Sequence, residues 1–306
     1  MRRPMARVTD PLSAMGAEIN STGGRAPLII RGSKLTGVNH KLSIPSAQVK
    51  SAILLAGLYA EGPTSITEPL STRDHTERLL KYLGARISSG GLNLYLRPGR
   101  FTAKNIKVPG DISAAAPFIT AACLLPGFKL TIKSVGLNPG RTGLISALKA
   151  MGARITVKPA AAASEPEGEI IVYGSKLKGI RIRPDEVPSM IDELPLLALA
   201  ASRAQGVTVI SGVGELRHKE SNRLQATLAL FKTLGLEAGT GKDSLIIKGN
   251  QFLTGGKPAE AFNDHRIAMT AAVAGLLAAK PVKIKDPACV NKSYPAFFAD
   301  FKKVFS

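Results

Sequence analysis

PLSAMGAEI at residues 11–19, LLKYLGARI at residues 79–87 and ALKAMGARI at residues 147–155 are copies of one phrase, and LFKTLGLEA at residues 230–238 is a weaker fourth. Each closes an apolar helical pattern on a glycine and passes into a β-rich run. The glycines stand at 16, 84, 152 and 235, so successive copies are 68, 68 and 83 residues apart. A period of that kind marks a chain built from repeated units.

Working outward from the phrase, one full unit lies around the second copy. HKLSIPS leads into AQVKSAILLAGLYA, where Leu54, Leu55, Leu58 and Tyr59 recur at helical spacing and Gly62 ends the helix. The strand TSITE follows, then a second helix in LSTRDHTERLLKYLGA and a hairpin around Gly90-Gly91 in ARISSGGLNLYLRPG. The unit order is β-α-β-α-β-β, an α/β arrangement. A second unit runs from IKVPGD to about Tyr173, a third from IRIRPDEVP to about Ile247, and a fourth from AEAFNDHR to Phe305 without a final hairpin. Residues 1–33 match the latter half of an earlier unit, and the Ala160–Ala163 run with SEPEG is a loop insertion. Such units bury their helices only by packing together. The count predicts a lobe of three units over 108–306 and a partial lobe over 1–107, so that the chain starts inside a domain. Leu54, Leu55 and Leu58 are then expected to lack cover, leaving the first lobe loose, dimeric or aggregation-prone.

With 306 residues and 44% hydrophobic content the chain is neither disordered nor collagen-like. Its longest nearly uninterrupted apolar run, Ile267 to Ala279, is short of the roughly 18–20 residues of a membrane-spanning helix. No signal or transit peptide is readable in MRRPMARVTDPLSAMGAEIN, which makes a cytoplasmic location the default. Cys123 and Cys289 read as core residues, with neither metal nor disulfide spacing. Forty-one Lys and Arg against 22 Asp and Glu give +19, a charge that draws nucleic acid, acidic membrane or phosphorylated metabolites. The basic residues are dispersed and Trp is absent, which weakens the nucleic-acid reading. LEAGTGKD and GVGELR lack the residues of a phosphate loop and of a dinucleotide fingerprint, so both read as turns.

Polar strings recur where a strand or loop delivers a helix N-terminus, the place where free amides and the helix dipole favour anions. Ser46-Ala47-Gln48 is one, with Ser46 as an ordinary N-cap the alternative. Ser71-Thr72-Arg73-Asp74-His75-Thr76 is the second, with a capping cluster as its alternative. Asp192 and Glu193 precede the apolar LLALAA, placed to cap that helix or face a cleft. A helix beginning at Glu215 would put Lys219, Glu220 and Arg223 in one sector, and a solvated salt-bridged face would look the same. In Asn263-Asp264-His265-Arg266 an arginine opens a helix against the dipole, which points to an anion it must hold. Lys292, in CVNKSYP, holds the matching slot of the fourth unit.

With PSAQVKSA, STRDHTE, MIDELP, ELRHKESNRL and NDHRIAM in this order, the chain resembles the 5-enolpyruvylshikimate-3-phosphate synthases, the 3-phosphoshikimate 1-carboxyvinyltransferases, over its whole length. The resemblance implies the enolpyruvyl transferase fold of two lobes that close on shikimate 3-phosphate and phosphoenolpyruvate, with no metal or organic cofactor. It implies protonation of the methylene carbon of phosphoenolpyruvate, attack of the 5-hydroxyl on its C2, and loss of phosphate from the adduct, in the pathway to chorismate and the aromatic amino acids. Carried over position by position, Ser46, Ala47, Gln48, Arg73, Asp192 and Lys219 match the residues that hold shikimate 3-phosphate. Arg3, Gln48, Arg223, Arg266 and Lys292 match those that hold phosphoenolpyruvate, while Asp192 and Glu220 match the catalytic carboxylates, Glu220 transferring the proton. Ala47 stands where serine is common in the family, and Asn222 where aspartate is usual.

By the same resemblance an N-terminal region of the family, with a catalytic lysine and a carboxylate-binding arginine, is expected to be missing. Two expectations then compete: one part of a split or truncated synthase, inactive alone and needing an N-terminal companion fragment, or a non-catalytic anion-binding remnant. The full-length form is expected to be a monomer, with neither nucleic acid nor membrane as partner.

Overall fold

The computed structural model describes residues 4–161 and 164–306. Helix α1 (Ala6–Ala14) and the hairpin of β1 (Glu18–Thr22) and β2 (Arg25–Arg31) come first. The first full repeat then runs through β3 (Asn39–Lys41), α2 (Ala47–Gly57), β4 (Thr64–Thr67), α3 (His75–Tyr82), β5 (Arg86–Gly90) and β6 (Asn93–Arg97). The next supplies α4 (Ile112–Leu124), β7 (Lys129–Gly136), α5 (Gly143–Ala150), β8 (Arg154–Ala160) and β9 (Glu167–Tyr173). A third follows with β10 (Arg181–Ile182), α6 (Leu194–Arg203), β11 (Val207–Ser211), α7 (Arg223–Leu234), β12 (Ala238–Thr240) and β13 (Ser244–Lys248). The chain ends with β14 (Ala259–Glu260), α8 (His265–Gly275), β15 (Ile284–Lys285) and α9 (Phe297–Phe305).

The sheets repeat with the sequence. β3-β4-β6-β5 and β10-β11-β13-β12 share one order and one set of senses, with the first pair parallel and the other pairs antiparallel. In the repeat between them a parallel bridge from Gly110 to Val135 stands for the first strand of β7-β9-β8. The last repeat keeps only the parallel pair β14-β15 among the described residues. The phrase glycines explain the period. Gly16, Gly84, Gly152 and Gly235 all adopt left-handed φ, from 77° to 97°, where α1, α3, α5 and α7 end. Only glycine enters that region without a steric cost, and it lets the last carbonyls find donors as the chain turns into a strand.

Two compact lobes result, one running through Val108 with residues 164–165, the other holding the rest. In the second lobe the first helix of each repeat is buried almost all round: α4 through Ile112–Cys123 apart from Ala114, α6 from Leu194 to Ser202, and α8 over most of its length. Their alanines let the three helices pack against one another as the lobe's centre, flanked by Ile170 and Val172 of β9 and by Leu245 and Ile247 of β13. Each fully buried Leu or Ile there contributes about 1.5–3 kcal/mol.

The first lobe has its own core of Met15, Ile53, Leu54, Ile66, Leu80, Leu94 and Leu96. That corrects the expectation for Leu54 and Leu58, which are buried in this cluster rather than uncovered. Leu55, on the outer face of α2, and Tyr59, in the turn after it, are 51% and 80% exposed. Cys123 and Cys289 are both buried and free. No helix among the described residues is long and apolar enough to cross a membrane.

Candidate active site

Three carboxylates surround one guanidinium in the second lobe. Arg223 opens α7 and is 1% exposed. Its Nη1 donates to Asp192 Oδ1 at 2.9 Å and its Nε to Asp264 Oδ2 at 3.0 Å, while its Nη2 donates to Glu220 Oε2. Lys219 Nζ lies 3.3 Å from the same Asp192 oxygen, and Ser221 Oγ donates to Asp264 Oδ2 at 3.0 Å. Burying a charge costs several kcal/mol, so such a group survives inside a protein only when paired. Opposite charges about 4 Å apart attract by about 4 kcal/mol at an effective dielectric near 20, so several partners together offset that cost. The balance shows in the titration of the pair. Burial opposes charge on both, yet the Asp264 carboxylate lifts the Arg223 guanidinium, and Arg223 in turn holds Asp264 below the usual carboxylate range.

Helix starts build the rest. Asp264 caps α8 by accepting from Arg266 N at 2.9 Å, and Asp111 caps α4 by accepting from Ser113 N at 3.0 Å. Arg266 Nη1 then donates to Ser113 O at 3.1 Å and lies 3.4 Å from Glu193 Oε1, which also accepts from Ser113 Oγ. Arg141 Nη2 donates to Asp111 Oδ1 and to Ser113 Oγ, both at 2.7 Å. Lys292 Nζ donates to Asn263 Oδ1 at 2.6 Å and to Asn263 O at 3.0 Å, one residue from Asp264. One connected network thus runs from Lys219 through Asp192, Arg223 and Asp264 to Arg266, Glu193, Ser113 and Arg141. Burial, and then the neighbouring Arg266, lowers the pKa of His265 beside it in sequence, which favours the neutral imidazole.

Of the residues singled out from sequence, Asp192, Lys219, Glu220 and Arg223 are in direct contact. Arg266 joins them through Asp264, and Lys292 through Asn263. Their exposure differs. Arg223 is pinned among carboxylates, whereas the Arg266 side chain is 13% exposed and Lys292 stands at the surface. Two local expectations change. The helix does not begin at Glu215: residues 214–218 form a 3₁₀ turn, and α7 starts at Arg223 because Asn222 caps it, its Oδ1 accepting from Gln225 N at 3.2 Å. Glu220 reaches Arg223, and Lys219 reaches Asp192, from that connecting segment rather than from a shared helix face. Glu193 sits at the α6 N-cap without capping it by side chain, its carboxylate turned to Ser113 and Arg266 instead.

In the first lobe Ser46 caps α2, its Oγ accepting from Val49 N at 3.4 Å; Ala47 beside it is half-buried and Gln48 exposed. Arg73 is half-buried in the loop before α3. Arg3 lies outside the described residues. Glu193, Ser113, Arg141 and Asp264 had no ligand role in the sequence reading. The available signal was the acid before each apolar helix, Asp111, Glu193 and Asp264.

A family model described as EPSP synthase (3-phosphoshikimate 1-carboxyvinyltransferase) matches residues 1–301. A 3-phosphoshikimate 1-carboxyvinyltransferase of Desulforudis audaxviator is 47% identical over 300 residues, covering 97% of this chain and 70% of the relative. One from Bacillus subtilis is 42% identical over 307 residues, with 99% and 72% covered. The solved EPSP synthase of Acinetobacter baumannii superposes with a TM-score of 0.88 at 42% identity, over 99% of this chain and 71% of that one.

Proposed function

This chain belongs to the EPSP synthase family, and from that membership we propose that it transfers the enolpyruvyl group of phosphoenolpyruvate to the 5-hydroxyl of shikimate 3-phosphate. The observation that carries the reading is the second-lobe network, in which the family strings around 192, 219–223 and 264–266 meet in one place.

In the first half-reaction protonated Glu220 gives its proton to the methylene carbon as the 5-hydroxyl oxygen bonds to C2 and passes its own proton to the Asp192 carboxylate. The product is a tetrahedral adduct bearing the phosphate. In the second, a proton returns from the new methyl group to Glu220, the C2–O bond to phosphate breaks as Asp192 gives its proton to the leaving phosphate, and the enol ether and inorganic phosphate remain. Arg266 and Lys292, fixed by Glu193 and Asn263, are suited to the carboxylate and phosphate of phosphoenolpyruvate, since charge-assisted contacts to such groups are the strong ones. Asp192, held by Lys219 and Arg223, is an acceptor for ring hydroxyls. Arg223 carries the carboxylates in place, and Arg3 adds a further cation for phosphoenolpyruvate. The lobe over 1–107 takes the shikimate 3-phosphate side, through Ser46, Ala47 and Gln48 at the α2 N-terminus and Arg73.

The chain spans about 70% of the length of the relatives it matches. We extend the proposal to two finer points: turnover requires the remaining portion, supplied as a companion segment, and the reaction is cytoplasmic. The test is a coupled phosphate-release assay on the chain, alone and with a polypeptide carrying the part of the Bacillus subtilis relative it does not span. Release dependent on both substrates supports the reading, whereas substrate binding without release in either mixture would favour an anion-binding role.

A further inference from the structure

Lys50 sits one turn into α2 and is 1% exposed, the most buried lysine among the described residues. Its Nζ lies 3.0 Å from Glu68 Oε2 and 2.6 Å from Glu77 Oε1, and both glutamates are buried. Glu68 follows β4 and its other oxygen accepts from Thr72 Oγ1 at 2.5 Å, inside the polar loop that carries Arg73. Glu77 belongs to the first turn of α3. Beside this triad, Ser51 Oγ and Thr76 Oγ1 are 2.6 Å apart, a second tie between α2 and the start of α3. One buried point therefore fastens the N-terminal half of α2, the end of β4, the loop 71–76 and α3.

Stability does not explain it. A buried ion triad is commonly no more stable than apolar residues of the same volume, because three desolvated charges offset their own attraction. Nor is this one fully satisfied: Glu77 Oε2 is buried with no hydrogen-bond partner, and burial raises the Glu77 pKa despite the ammonium. What such a network supplies is a fixed relative geometry. The groups it fixes are Ser46, Ala47 and Gln48, within one helical turn of Lys50, and Arg73, next to Thr72.

We propose that Lys50, Glu68 and Glu77 are positioning residues that hold the α2 N-terminus and the 71–76 loop in the geometry that binds shikimate 3-phosphate. This rests on the reading of Ser46, Gln48 and Arg73 given above. The three residues do not touch the ligand, and they act chiefly on shikimate 3-phosphate, reaching phosphoenolpyruvate only through Gln48.

The test is an NMR titration of the 306-residue chain with shikimate 3-phosphate and, separately, with phosphoenolpyruvate. The first variant is the neutral triple substitution Lys50→Met, Glu68→Gln and Glu77→Gln, which strands no charge. The expected result is shikimate 3-phosphate affinity lower by at least about tenfold, equivalent to about 1.4 kcal/mol, and a phosphoenolpyruvate affinity changed by no more than about threefold, the part that Gln48 carries. Should the triple variant fail to fold, Glu77→Gln against Glu77→Leu decides: Gln keeps an acceptor for Lys50 and retains affinity within about threefold, whereas Leu loses it. Arg73→Ala is the control. If it weakens shikimate 3-phosphate while the triad variants bind as the parent does, the positioning role is overturned and the site reading stands. If Arg73→Ala and Ser46→Ala change nothing, or the parent does not respond, the site reading fails and takes the proposal with it. Equal losses for both ligands would also overturn it, by making the triad a general structural element.

Discussion

Asp264→Ala removes a carboxylate that does two tasks in the second lobe. Asp264 is fully buried, accepts from Arg223 Nε at 3.0 Å and from Ser221 Oγ at 3.0 Å, and caps α8 through Arg266 N at 2.9 Å. Losing an N-cap costs about 1 kcal/mol. Leaving a buried charge short of its partner costs about 3–5 kcal/mol, and Arg223 keeps Asp192 and Glu220, which places this case at the low end. Because one side chain supplies both terms they do not simply add, so about 3–4 kcal/mol is expected. Asp264→Asn retains a cap acceptor and a neutral acceptor for the guanidinium, and should cost about 1–3 kcal/mol. The pH dependence has a definite sign. Burial raises the Asp264 carboxyl, but Arg223 outweighs burial and leaves it below its ordinary 3.8. The ion pair's contribution is therefore complete above that ordinary value and is lost as pH falls through the depressed one. Urea unfolding followed by circular dichroism at pH 7, then in steps down to about pH 3, reads both quantities. A cost below about 1 kcal/mol for Asp264→Ala, or a gap between parent and Asp264→Asn that widens on acidification, would refute the reasoning.

Arg266→Ala, in chain supplemented with the companion segment, should weaken phosphoenolpyruvate by the equivalent of about 2–5 kcal/mol and shikimate 3-phosphate far less; equal effects in steady-state kinetics would make Arg266 a structural residue. Gly84→Ala meets no atom within 4 Å of the added carbon, so its cost is backbone strain alone at φ +91°, about 1–2 kcal/mol by chemical denaturation. Burial raises the Glu77 pKa above its ordinary 4.5, so the parent loses stability as pH rises through the raised value. Glu77→Gln lacks that loss, and its stability relative to the parent should improve from about pH 4 to pH 7 in paired melting curves.

The α/β repeat was legible in the sequence because a left-handed glycine is a local requirement. A single residue type at a single φ ends α1, α3, α5 and α7, and the period shows wherever that glycine recurs. The cover over Leu54 and Leu58 was not legible, since α1 of the preceding partial unit supplies it together with β4 and β6, and periodicity carries no distances. The start of α7 was misplaced for a related reason. ELRHKESN has helical spacing of charge, but the side chain of Asn222 competes for the backbone amides and sets the boundary. At the candidate site, the strings around 192, 220 and 264 stood out as charged residues beside apolar helices. Their supports did not: Ser113 reaches Glu193 across 80 positions and Arg266 reaches Ser113 across 153. Lys50 shows the same limit, since a lysine in an apolar helix reads as a solvated edge until Glu68 and Glu77 are seen beside it.

The most direct measurement is phosphate release from phosphoenolpyruvate by the chain with its companion segment, in the presence and absence of shikimate 3-phosphate, for the parent and for Glu220→Gln. Glu220 touches Arg223 and is the exposed carboxylate of that cluster, so the amide keeps the shape and removes the transferable proton. The expected result is release only with both substrates present, absent from the 306-residue chain alone, and lowered by about two to four orders of magnitude in Glu220→Gln with binding retained. Rapid shikimate 3-phosphate-dependent release by the chain alone would contradict the need for a companion, and an unaffected Glu220→Gln would contradict the assignment of proton transfer to this cluster.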